Sequence, residues 1–176
     1  MECLMNTESD QAKDIYLTGL RNQHAVEHQA IELLERQVGR LQNYPEMEQR
    51  MRRHIEESRE QARRLEDLLG HFDTSHSSFK DTMMSIAGNL AAMGHSTAPD
   101  EVVKNTFANF AFEHYEIASY KSLLVLADLS GHSAGISALQ ASLREEQDMA
   151  AWIANHIDPT VRRFVERSAA NVTAGV

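Results

Sequence analysis

Apolar residues recur every three or four positions over long stretches of this chain, the spacing of one face of an α-helix. A first helix is predicted over residues 9–42, with Leu17, Leu20, Ile31, Leu34, Val38 and Leu41 on one face. Carried through its gap, that face takes in His24 and Glu27. Asn43-Tyr44-Pro45 ends it, because proline disfavours helical geometry in the residue before it. A second helix is predicted over residues 46–72. Met47, Met51, Leu65, Leu68 and Phe72 form its inner face, continued through the middle by His54, Glu57 or Ser58, and Gln61. Arg50, Arg52, Arg53, Arg59, Arg63, Arg64 and Glu66 read as its charged outer face. So short a connection makes the two helices antiparallel neighbours.

After a polar stretch at 70–78, a short apolar helix is predicted over 79–93, stopped by Gly94. Such a segment suits a long crossover between the two ends of a bundle. The third helix opens at Ala98-Pro99-Asp100-Glu101, where proline and acids suit the amino end, and stops near Gly131. Its face uses Val102 or Val103, Thr106, Phe110, Glu113, Ile117, Tyr120, Leu124 and Ala127. The fourth covers 134–156 with Ile136, Leu139, Leu143, Glu146, Ala150, Ile153 and Ile157 on its face. Pro159 should stop it, leaving a last short helix at 160–167. No strand-like alternation occurs. The fold expected is all-α: a ferritin-like antiparallel four-helix bundle with a short extra helix in the crossover between helices two and three. Residues 1–10 read as a flexible start, 11–167 as the bundle and 168–176 as a disordered tail.

The informative positions are those where a polar residue breaks an apolar face. Glu27, Glu57, Glu113 and Glu146 each fall at or beside a core position near the middle of a different helix. A carboxylate buried alone costs several kcal/mol or protonates, and four in one core repel unless cations hold them. Carboxylate oxygens suit iron or manganese, with imidazole acceptable beside them and zinc also able to bind. Di-iron and di-manganese bundles draw a glutamate from each of two helices and a Glu-x-x-His pair from each of the others. Here the second helix offers His54 and Glu57 in reverse order, and Glu56 is followed three residues later by Arg59. The third offers Glu113 and Glu116 one turn apart, and Glu146 is followed three residues later by Met149. One sequence leaves Glu56 against Glu57, and Glu145 against Glu146, open. His24 and His28 read as hydrogen-bonding or surface histidines, Tyr120 as a core aromatic, and the methionines as core filling.

Charge narrows the alternatives. The 26 acidic residues outnumber the 17 Lys and Arg, giving −9, a balance that argues against a nucleic-acid binder, which needs a basic face to meet phosphates. The single Cys3 permits no internal disulfide and no apolar run is long enough to span a bilayer, which together point to the cytoplasm. No glycine-rich phosphate loop or nucleophile motif is present.

The residues 26–30 (Val-Glu-His-Gln-Ala), His54-Ile55-Glu56-Glu57-Ser58 with Gln61 and Leu65, Glu113-His114-Tyr115-Glu116-Ile117-Ala118-Ser119-Tyr120 and Leu143-Arg144-Glu145-Glu146-Gln147 resemble the YciE/YciF stress-protein family in order and spacing. The resemblance covers residues 13–157. It implies a ferritin-like bundle, a homodimer, and a di-iron site with ferroxidase-like or stress-associated activity. The family's acidic positions correspond to Glu27, Glu57, Glu113, Glu116 and Glu146. Ser58 stands where threonine is usual, Lys121 where glycine is common, and Arg144 in an otherwise acidic run. The expected reading is an oxidase in which oxygen or peroxide takes electrons from two metal ions. Glu57 and Glu116 would bridge; Glu27, Glu113 and Glu146 would be terminal; His54 would be a nitrogen ligand or a ligand's partner. The competing reading is a dimeric helical scaffold without turnover and with a vestigial metal site.

Overall fold

The computed structural model describes residues 2–72 and 99–174, with side chains from residue 7. Four long helices account for nearly all of them: α1 (Glu2–Val38), α2 (Pro45–Gly70), α3 (Glu101–Leu129) and α4 (Ile136–Ala169). The expected crossover helix at 79–93 lies outside the described residues. Buried positions step alternately by four and three along each helix. In α1 they are Tyr16, Leu20, Gln23, Glu27, Ala30 and Leu34; in α2, Met47, Met51, His54, Ser58, Gln61, Leu65 and Leu68. In α3 they are Val102, Thr106, Asn109, Glu113, Glu116, Tyr120, Leu123 and Ala127; in α4, Leu139, Ser142, Glu146, Met149 and Ile153. A mean step of 3.5 keeps one seam facing the partner helices and favours the shallow crossing of a four-helix bundle.

Contacts along the seams fix the directions. Arg59 of α2 pairs with Glu35 of α1, and His24 with Glu66, so α1 and α2 are antiparallel. Arg40, just past α1, pairs with Glu101 at the start of α3 at 2.7 Å, while Gly19 lies against Leu123 near its end. Hence α1 and α3 are also antiparallel. Arg64 of α2 meets Glu145 of α4 at 2.7 Å, and Leu68 meets Gly135 just before α4. It follows that α2 and α3 run the same way, and the chain must travel the length of the bundle between them. This is the ferritin-like arrangement with one long crossover. The α3–α4 turn passes through Gly131, whose φ of +73° is open to glycine at little steric cost.

At one end of the bundle, Leu34, Val38, Met47, Met51, Ile55, Val102, Met149 and Ile153 form an apolar plug. At the other, Tyr16, Leu20, Leu65, Leu68, Tyr120, Leu123 and Leu139 form a second. Between them lies a belt of buried polar side chains. Two expectations about α2 and α4 change. Arg50 is buried, not on an outer face. Helix α4 does not stop at Pro159 but runs through it to Ala169. The missing proline N–H removes one backbone bond, yet Thr160 is buried and Ile157 and Phe164 pack on the first plug. Asp158 and Arg162, one turn apart, pair at 2.6 Å across the break. Beyond the helix, Thr173 and Ala174 accept hydrogen bonds from Arg167 and Tyr44, at 2.7 and 2.5 Å.

Candidate metal centre

The polar belt is built from all four helices. Glu27 of α1, His54 of α2 and Glu146 of α4 are each 0% exposed, and Glu113 and Glu116 of α3 are 1% exposed. These five of the six sequence-predicted site residues therefore share one water-excluded core. Their places follow from the 3.5-residue seam: Glu27, His54, Glu113, Glu116 and Glu146 all occupy its inner positions.

His54 is the hinge of the cluster. Its Nδ1 lies 2.9 Å from Glu57 Oε2. Its Nε2 lies 3.2 Å from Glu113 Oε2 and 3.7 Å from Glu146 Oε2. Although the 3.2 Å approach is close enough for charge attraction, neither His54 Nε2 nor Glu113 Oε2 has a hydrogen-bond partner. The three donor atoms of His54, Glu113 and Glu146 lie within 4.8 Å of one another. Beside them, Glu27 Oε1 accepts from Tyr120 Oη at 2.5 Å and from Gln23 Nε2 at 2.8 Å. Gln23 also reaches Glu116 Oε1 at 3.5 Å.

Glu57, the sixth residue, is turned away from the shared core. Its side chain is 24% exposed, and Oε2 accepts from Arg50 Nη1 at 2.9 Å as well as facing His54. The sequence left Glu57 or Ser58 on the inner face; Ser58 is the one on the seam, 1% exposed. Glu57 instead stands behind the imidazole. An Nδ1–H donated to Glu57 leaves Nε2 facing Glu113 and Glu146, and a bound ion would take the place of its proton there, the carboxylate–histidine arrangement that supports metal ligands. The other ambiguities also resolve. Glu56 is exposed and pairs with Arg59, whereas Glu145 pairs with Arg64 and Gln61, leaving Glu146 inward.

Electrostatics follow from this packing. Burial pushes the Glu27 carboxyl up to about 7, against the opposing pull of its Tyr120 and Gln23 hydrogen bonds. Burial and the adjoining carboxylates Glu146, Glu27 and Glu113 push Glu116 well up. Burial also pushes Glu146 up, with Glu113 and Glu27 reinforcing it against the pull of His54. For His54, burial disfavours the charge, but Glu113, Glu57 and Glu146 outweigh it and hold the imidazole well above its ordinary value. Burial opposes ionisation of Glu57 too, yet His54 and Arg50 hold it down to about 2. The phenol of Tyr120 is raised by burial and by Glu27.

The donor chemistry of these residues fits divalent metal ions. With the carboxylates ionised, as metal ligands must be, Glu27 Oε2, Glu113 Oε2, both oxygens of Glu146 and His54 Nε2 are buried without a hydrogen-bond partner among the described residues. A buried lone pair without a donor is costly, and a cation satisfies it. Four ionised carboxylates match the charge of two divalent ions. Four carboxylates and one imidazole make an oxygen-rich set of the kind iron and manganese take. Three residues beyond Glu146, where a second histidine would complete the usual pair, stands Met149, fully buried. Gln23 and Arg50 escaped sequence reasoning, although Gln23 falls on the α1 seam and Arg50 lies two turns from Glu57 on one face.

Comparison with known proteins agrees with this architecture. A protein from Xanthomonas campestris pv. campestris has a similar crystal structure, 28% identical with a TM-score of 0.75, covering 90% of this chain and 99% of that one. The Escherichia coli stress protein YciF is 20% identical with a TM-score of 0.73, covering 86% of this chain and 98% of its own, and so shares the fold. Residues 11–166 match the family described as Domain of unknown function (DUF892). With the match spanning most of the chain, this protein belongs to the DUF892 family, and it shares the ferritin-like helical bundle of YciF.

Proposed function

We propose that this protein binds two divalent metal ions, iron foremost, in the core of its bundle and couples Fe(II) oxidation to the reduction of peroxide or dioxygen. The observation that carries the reading is the convergence of four fully buried glutamates and one histidine from four helices, with several of their atoms lacking hydrogen-bond partners. Bound ferrous iron supplies two electrons per pair, so that one peroxide and two protons become two waters and both irons become ferric. Glu27, Glu113, Glu116, Glu146 and His54 hold the ions, and Glu57 with Arg50 orients His54. Tyr120 and Gln23 steer Glu27 through one carboxylate oxygen and leave Oε2 free to bind. The raised Glu27, Glu116 and Glu146 carboxyls store protons that metal binding displaces. The two apolar plugs keep bulk water from the ions and so strengthen every interaction there.

The same reading places the protein in a reducing cytoplasm, as a homodimer. Support for a second copy comes from Phe107, Tyr115, Val125 and Leu129, each about half exposed on one side of α3 among the described residues. Among the described residues no helix is long and apolar enough to cross a membrane. The test is to load the protein anaerobically with Fe(II), add peroxide, and follow ferric absorbance and peroxide consumption. One peroxide should be consumed per pair of irons, and Glu116→Gln should slow the reaction by about tenfold or more. Rates equal to those of free Fe(II), unchanged in Glu116→Gln, would contradict the proposal.

A second reading is favoured by one observation, the single imidazole among the ligands. A scaffold with a vestigial site would keep its melting temperature after chelation, whereas a metal-held core would lose stability, because metal binding adds to folding free energy.

A further inference from the structure

A second group of metal-ligating side chains lies between α1 and α2, outside the core belt. His24 and His28, one turn apart on α1, face Glu66 of α2. His24 Nε2 is 2.9 Å from Glu66 Oε1 and 3.2 Å from His28 Nε2, and the two rings meet edge to face at 4.5 Å between centroids. All three donor atoms lie within 4.8 Å of one another. The 2.9 and 3.2 Å separations are those of ligand atoms sharing one ion at the 2.0–2.2 Å of histidine and carboxylate bonds to zinc-class ions.

Protons alone serve this geometry poorly. A neutral His24 has at most one Nε2–H, and two acceptors, Glu66 Oε1 and His28 Nε2, crowd it from different helices. A single cation satisfies all three atoms together. Histidines one turn apart on a helix present both rings to one ion, and a carboxylate from a neighbouring element makes the third ligand of a His₂Glu set. The burial gradient gives the site a direction. His24 is 3% exposed, while the Glu66 side chain is 55% exposed, so the remaining coordination positions open to water.

We propose that His24, His28 and Glu66 form a second, solvent-facing site for a divalent transition-metal ion of the zinc, cobalt or iron class, separate from the core centre. It differs from the core in chemistry, with two nitrogens and one oxygen in place of one nitrogen and four carboxylates. It therefore favours ions that accept imidazole, and it exchanges them with solvent without opening the bundle.

The test uses Co(II) as the probe on the full chain under anaerobic conditions, with stoichiometry measured by equilibrium dialysis and geometry by visible absorption. In a Glu113→Gln/Glu146→Gln background, about one Co(II) should remain per chain, with the intense visible bands of a low-coordinate nitrogen-containing site, and His28→Gln or Glu66→Gln should remove it. In the otherwise unaltered chain, His28→Gln should lower the bound Co(II) by about one per chain, which keeps the test independent of how the core variant folds. Binding in the core variant that is absent, or that His28→Gln and Glu66→Gln leave unchanged, overturns the proposal. The two sites fail separately. About two ions bound in wild type and none in the core variant would sink this site and leave the core centre standing, whereas one ion sensitive only to His28→Gln would do the reverse.

Discussion

At the scale of single residues, His54 is held from behind by Glu57 and faces Glu113 and Glu146 in front. On the proposed function, Glu57 would act on a bound ion through the imidazole. Glu57→Gln should weaken core metal binding by about 10–100-fold without abolishing it, as loss of an orienting partner does. A competition titration checks this, and an undiminished affinity would show that Glu57 does not orient the ligand. Burial sets a second expectation. It lifts Glu27 from 4.5 to about 7, so the native state keeps a proton that the unfolded chain releases. The stability from that proton is complete below 4.5 and is lost as pH rises toward 7. The melting temperature of metal-free protein should fall across this window, and Glu27→Gln should flatten the fall. Glu57 works the other way, its contribution vanishing only as pH drops toward about 2. Most of the site was legible because Glu27, Glu113 and Glu146 interrupt apolar spacing and Glu116 lies one turn from Glu113. Glu57 was not, because residues 52–64 are polar nearly throughout and leave the phase of α2 uncertain by about one residue. One residue is a rotation of about 100°, enough to exchange Ser58 for Glu57 on the seam.

At the scale of elements, local signals located the four helices but set their ends less well. Pro45 and Gly131 punctuate the chain as their backbone chemistry dictates. Pro159 does not, because the helix beyond it has an apolar plug to pack on and the loss of one hydrogen bond is smaller than that gain. Such packing involves residues distant in sequence, so no local pattern reveals it. Phe164→Ala should therefore lower the melting temperature by about 4–8 °C, corresponding to about 2 kcal/mol for a partly buried aromatic in a domain of this size. Thermal denaturation followed by circular dichroism decides. An unchanged midpoint would mean that the last turns of α4 contribute nothing to the bundle.

At the scale of the whole molecule, two apolar plugs enclose a belt that is poorly satisfied without cations. The plugs supply the hydrophobic driving force for folding, while the belt sets what the fold is for. Pairing of α1 with α3 and of α2 with α4 brings carboxylates from distant parts of the chain to one point, and the long crossover makes that pairing possible. The acidic balance of −9 adds a field that draws cations toward the bundle. The most direct test of the account is the iron content of protein incubated anaerobically with Fe(II) and freed of loosely bound metal, compared with Glu113→Gln/Glu146→Gln. The account predicts about two core irons per chain in the unaltered protein and their loss in the variant. Equal iron in both, or none in either, would contradict it and leave the buried glutamates as a structural network.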